Sequence, residues 1–183
     1  IAHRAFPFSP ALRQVEDSIE LLELFHGPSC AFKDFGASFL ATAMGELLQS
    51  SGDRAVILTA TSGDTGSAVA QAFHNQPQID VVILYPSGRV SHLQEQQLTT
   101  VGGNVTALEV SGSFDDCQRL VKEAFVDREL RRLVPITSAN SINLGRLMPQ
   151  SLYYIWAFQS VRTRIDSEFV FCVPSGNFGN LTA

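Results

Sequence analysis

The feature of this chain best suited to chemistry is a single amine. Lysine occurs at only two positions, 33 and 122, and Lys33 stands in the stretch FHGPSCAFKDFG, residues 25–36. A Gly-Pro turn precedes it, Phe32 and Phe35 flank it, and Asp34 follows as a candidate helix N-cap. The positive end of a helix dipole and an apolar surround both disfavour an ammonium, so this placement favours a neutral, nucleophilic amine. Such an amine forms a Schiff base with a carbonyl compound. The same side chain could instead lay its methylenes over apolar surface and keep its charge in water. The stretch alone leaves both readings open. Lys122 lies across a helix from the stripe Leu120, Val121, Ala124 and Phe125, and belongs to solvent.

Glycine-rich turns supply a second kind of chemistry. PSGNFGN follows the apolar run EFVFCV, and its Gly176 and Gly179 let a backbone of N–H groups close on an anion. It lacks the GK[ST] of a nucleotide-binding P-loop, and its spacing does not fit GxGxxG. TSGDTGSA has the same order of strand, turn and helix; Asp64 or Thr65 would cap that helix if the loop served structure alone. SANSINLGR gathers Asn140, Ser141, Asn143 and Arg146 at another strand end. Arg146 reads either as a surface charge or as a bidentate clamp on an anionic substrate. An imine-forming lysine, a phosphate cradle and two polar loops together point to an aldehyde cofactor bearing a phosphate, pyridoxal 5'-phosphate.

The elements that would position these groups are apolar runs alternating with helical patterns. Strands are expected at Ile19–Phe25, Ala55–Thr59, Val81–Tyr85, Val105–Val110, Val134–Thr137 and Phe169–Val173. Helices are expected at Asp34–Leu48, Thr65–His74, Ser91–Thr100, Phe114–Leu133 and Asn143–Arg162. That alternation implies an α/β fold, with mostly parallel sheets and helices on both faces. Ligands of such sheets lie beyond the carboxyl ends of the strands, where HGPSCAFKD, TSGDTGS, SANSINLGR and PSGNFGN fall. PSGRVS and SGSFDD look like ordinary turns leading into helix caps.

Composition narrows the function class. With 183 residues, 45% hydrophobic and 17% charged, the chain is globular and large enough for a sizeable core. A net charge of −5 speaks against nucleic acid as a partner. No apolar run reaches the roughly 20 residues of a membrane span, and IAHRAFPFSP has no signal-peptide core. Cys30, Cys117 and Cys172 are too widely spaced for a zinc site or disulfide framework, which fits a reducing, cytoplasmic setting. The chain opens on Ile1 and stops at Ala183, just past a turn that should start a helix, so a fragment is expected.

LFHGPSCAFKDFG, TATSGDTGSA, SANSINLGRLMPQ and VPSGNFGNLTA, in this order from Leu24 to Ala183, resemble the threonine synthase family of fold-type-II pyridoxal-phosphate enzymes. The resemblance implies a two-domain architecture, here incomplete: residues 1–33 and 143–183 in the larger domain, and 34–142 in the smaller. It implies that Lys33 carries the cofactor and that Gly176, Asn177, Phe178, Gly179 and Asn180 bind its phosphate. Asp64 takes the place near the cofactor's 3' oxygen, where much of the wider superfamily has Asn. Ser62, Thr65, Asn140, Ser141 and Arg146 match positions that hold the substrate's carboxylate or phosphate. Ser29 stands where Thr is usual, which keeps the hydroxyl.

The implied reaction converts O-phospho-L-homoserine and water to L-threonine and phosphate. Lys33 is displaced by substrate and then shuttles protons at Cα and Cβ, while Arg146 selects the phosphorylated substrate. A homo-oligomer is compatible with this reading. Two alternatives share the motifs, a phospho-lyase giving a 2-keto acid and an inactive homologue that still binds the cofactor.

Overall fold

The computed structural model describes residues 2–140, 143–165, 168–176 and 178–183. Of the candidate site residues, Ser141 and Asn177 lie outside the described residues. The chain opens with a short helix α1 (Ala2–Ala5), followed by a hairpin of β1 (Ala11–Glu16) and β2 (Ile19–Glu23). The hairpin corrects one expectation. Residues 19–23 do form a strand, but they pair antiparallel with β1, Leu12 opposite Leu22, and take no part in the parallel sheet. β1 escaped notice because ALRQVE carries no apolar run, and its partner lies just across a two-residue turn.

The body of the fold is a parallel sheet. After α2 (Lys33–Ser51) come β3 (Ala55–Ala60), α3 (Asp64–Phe73), β4 (Ile79–Pro86), α4 (His92–Thr99) and β5 (Val105–Val110). Then follow α5 (Phe114–Val126), α6 (Arg128–Leu133), β6 (Ile136–Thr137), α7 (Leu144–Val161) and α8 (Gly179–Thr182). The four central strands lie in the order β5-β4-β3-β6, all parallel.

The period-2 alternation of these strands divides the core. Ile57, Ile79, Val81, Ile83 and Tyr85 point to one face, where Leu40 and Ala41 of α2, Val69 and Phe73 of α3 and Leu98 of α4 cover them. Ala60, Leu84 and the partly buried Leu58 and Val82 point to the other, under Cys117 and Val121 of α5. Helices thus cover both faces, as expected for an α/β fold. No helix among the described residues is long and apolar enough to cross a membrane.

Two further expectations change. The helix expected over Phe114–Leu133 is broken at Asp127, whose carboxylate accepts from the backbone N–H groups of Glu129 and Leu130 and starts α6. Phe169–Val173 forms no strand, because its apolar run has no neighbour to complete a ladder among the described residues. Its rings instead join an aromatic series. Phe171 meets Tyr154 of α7 with centroids 5.0 Å apart, and Tyr153 meets Phe35 of α2 at 5.4 Å.

Ile83, fully buried in β4 beneath α3 and α4, should report on this core. Ile83→Ala is expected to lower unfolding free energy by about 2–5 kcal/mol, read as a fall in the denaturant midpoint.

Candidate functional site

Strand order reverses between β3 and β6. From β3 the chain steps outward to β4 and β5, then returns to the opposite side of β3 as β6. The loops leaving β3 and β6 therefore diverge and open a crevice at the carboxyl ends of the strands. Thr59 of β3 donates to the Asn140 side chain at 3.1 Å, tying the end of β3 to the loop after β6. Asn140 N–H in turn donates to Ser138 Oγ.

Lys33 opens α2 at this edge. Its Nζ lies 3.3 Å from Asp64 Oδ2, in the first turn of α3, and 4.8 Å from the centroid of the Phe32 ring. The expected apolar surround is present on one side only, with a carboxylate on the other. Neither Asp64 nor Thr65 caps α3. The N-cap residue is Gly63, with φ +148° and no side-chain cap, and Asp64 turns outward to the lysine. The Asp64 Oδ1 accepts from Gln94 Nε2 of α4 at 2.6 Å. Ser62 is exposed beside this group and Thr65 is half-buried in the same turn.

Asp34 is not the cap of α2 either. The N-cap residue is Phe32, which makes no side-chain cap bond, and Asp34 is buried within the first turn. The Ser29 N–H donates to Asp34 Oδ2 at 2.9 Å and the Ser29 hydroxyl to Oδ1 at 2.6 Å. Removal from water pushes the Asp34 carboxyl pKa up, opposed by these bonds and by the charge of Arg146. A Cβ on Gly27 would fall 2.8 Å from Asp34 Cβ, so the turn that delivers Lys33 closes directly on this carboxylate.

Arg146 is set apart from the lysine group. It is 1% exposed and donates from Nη1 to the Ala139 carbonyl at 2.8 Å. Its Nε has no hydrogen-bond partner among the described residues. Desolvation pulls its pKa down to about 10, partly offset by Asp34. α2 crosses α7 here so closely that a Cβ on Gly36 would lie 2.5 Å from the Arg146 carbonyl oxygen.

The fourth loop is tied to α7. Tyr154 donates its hydroxyl to the Asn180 carbonyl at 2.8 Å. The Asn180 side chain donates to the Pro174 carbonyl at 3.0 Å and accepts from the Ser175 hydroxyl, folding the loop on itself. Phe178 takes a left-handed backbone with φ +56°, uncommon for a bulky residue. Gly179 opens α8, and a Cβ at Gly176 would meet nothing within 4 Å. Among the described residues no cluster of His, Cys, Asp or Glu could hold a metal.

Sequence reading missed Gln94 and the buried partnership of Ser29, Asp34 and Arg146. Ser91-x-x-Gln94 carries a capping-box signal, but nothing in that spacing says what the free end of the amide meets. Asp34 looked like a cap because it adjoins a helix start. Burial by α7 was invisible there.

Comparison with known proteins fits this arrangement. The profile of the pyridoxal-phosphate dependent enzyme family matches residues 11–183. A threonine synthase of Haemophilus influenzae is 52% identical over 180 residues, covering 98% of this chain and 42% of that protein. The crystal structure of threonine synthase from Escherichia coli has a TM-score of 0.88 at 49% identity, covering 98% of this chain and 42% of that one. A threonine synthase from Brucella melitensis, solved with pyridoxal phosphate bound, has a TM-score of 0.87 at 45% identity over 94% of this chain and 37% of its own. The chain thus spans about two fifths of the length of these relatives.

Arg146→Ala should remove the charge that compensates the buried Asp34 and leave the Ala139 carbonyl unpaired. Loss of one partner from a buried charged arrangement typically costs about 3–5 kcal/mol. The expected outcome is a marked fall in the urea midpoint, larger than for Arg119→Ala on the exposed face of α5.

Proposed function

The chain belongs to the pyridoxal-phosphate-dependent enzyme family, and from that premise we propose that it is part of a threonine synthase. The reaction is conversion of O-phospho-L-homoserine and water to L-threonine and phosphate, assigned to the full-length enzyme that carries this chain. The observation behind this reading is 52% identity along 98% of the chain to a protein of that name.

The residues present fit the cofactor. Its aldehyde needs a primary amine, and Lys33 Nζ stands partly exposed at a crevice. Its phosphate needs close backbone approach, for which the space around Gly176 is open. When bound, pyridoxal phosphate supplies an electron sink for charge that develops on a substrate carbon. The remaining work falls to this chain's own groups. Lys33 Nζ takes and returns protons at Cα and Cβ of the substrate. Asp64 orients that nitrogen from 3.3 Å. Ser62 and Thr65, on either side of the Gly63–Asp64 turn, hold the substrate carboxylate at the N-terminus of α3.

Gly176, Asn177, Phe178, Gly179 and Asn180 form the cradle for the cofactor phosphate, and Asn140 with Ser141 receives the phosphate of the substrate. Arg146 serves that second loop from behind, since the Ala139 carbonyl it holds immediately precedes Asn140. Residues 34–142 belong to a smaller domain, and 1–33 with 143–183 to a larger one, with the cofactor loops drawn from both.

Borohydride reduction of the full-length enzyme, followed by peptide mapping, tests the central assignment. The expected label falls on Lys33 alone and abolishes the visible absorbance of the holoenzyme. A label on Lys122, or none, would overturn the reading.

A further inference from the structure

The side chain of Gln94 has a place in the site that the functional reading does not use. Its Oε1 accepts from the Ser91 N–H at 3.2 Å and the Ser91 hydroxyl at 3.1 Å, closing the capping box of α4. Its Nε2 is directed away from that box, to Asp64 Oδ1 at 2.6 Å. The polarity of this chain has one solution. The Ser91 N–H can only donate, the Asp64 carboxylate can only accept, and the amide of Gln94 joins the two. The second Asp64 oxygen then meets Lys33 Nζ.

The backbone around this contact is shaped for it. A Cβ at Gly63 would fall 2.6 Å from Gln94 Cδ, so any side chain there would expel the amide. Gly63 also holds φ +148°, which other residues rarely adopt. One turn further along the same face of α4, the buried Leu98 presses on the backbone of Gly66, where a Cβ would lie 2.8 Å from its Cδ2. α4 is therefore seated on the Asp64 loop by an apolar contact at Leu98 and a polar one at Gln94. Thr61 braces the loop from the other side, accepting from the N–H groups of Gly63 and Gly66.

We propose that Gln94 is a positioning residue, which holds the Asp64 carboxylate toward Lys33 and so sets the amine for the cofactor. The inference rests on the functional reading above and assigns a part of the site to α4, an element that carries none of its other residues. An exposed carboxylate such as Asp64 has several rotamers open to it. A charge-assisted bond to one of its oxygens selects the rotamer in which the other faces Nζ.

Gln94→Glu in the full-length enzyme separates this role from capping. Glutamate at this position keeps the capping box, but puts a second carboxylate against Asp64 in place of a donor. The thermal midpoint of the cofactor-free protein should be unchanged. Affinity for pyridoxal phosphate, measured by equilibrium dialysis, should fall about tenfold. In an Asp64→Ala background the same substitution should weaken binding no further, because the group it acts through is gone. If the midpoint does fall, the Asp64→Ala comparison still decides. An affinity that Gln94→Glu leaves unmoved, or a tenfold loss that persists without Asp64, overturns the inference. Borohydride labelling of the unsubstituted enzyme runs alongside. No label on Lys33 defeats the functional reading and this inference with it, whereas a labelled Lys33 with unmoved affinity defeats the inference alone.

Discussion

A carboxylate at the start of α2 is removed from water, and much of the site follows from how it is accommodated. Asp34 is 2% exposed. An ionised group in such a place needs hydrogen bonds and an opposite charge nearby, or its desolvation dominates. Ser29 supplies two hydrogen bonds and Arg146 the charge. These bonds close the Gly27–Cys30 turn on the first turn of α2, the helix that Lys33 opens.

The two ionic arrangements around Lys33 do different work, and magnitudes separate them. The Lys33–Asp64 pair is partly exposed, with Asp64 48% accessible. Pairs of that kind contribute about 0–1 kcal/mol to stability, so its importance is geometric. The arrangement of Asp34 and Arg146 is buried, and breaking it should be felt by the whole fold. The site thus has an inner, buried layer at Asp34 and Arg146 and an outer, partly exposed layer in which Asp64 meets the Lys33 amine.

The sheet decides which loops can cooperate. Since β6 returns beside β3, the loops carrying Asp64 and Asn140 flank one crevice, while those after β4 and β5 lie progressively further from it. The loop after β4 leads into α4, and α4 leans back far enough for Gln94 to reach Asp64. The fourth loop is held to α7 by the Tyr154 hydroxyl on the Asn180 carbonyl, beside the aromatic series that runs from Phe171 to Phe35.

Local pattern sufficed for much of this. A lysine between two phenylalanines after a Gly-Pro turn, glycine-rich turns at strand ends and alternating strand and helix periods are properties of neighbours in the chain. They determined the α/β class and most of the elements, and they singled out Lys33 as the candidate amine. The hairpin was half legible, because β1 has no apolar run to announce it. Asp127 broke a helix whose apolar stripe continued past it, since a side-chain cap can outbid periodicity at one residue. What only the tertiary structure decided was direction and burial. Asp34 reads as a cap and Arg146 as either a surface charge or an anion clamp, whereas where α2 and α7 cross both side chains are buried. Gln94 reads as half of a capping box until α4 packs over Gly63 and the free end of its amide finds a carboxylate 30 residues earlier in the chain. Hydrogen bonds of that span depend on where two elements meet in space, and the period of a sequence carries no information about that distance.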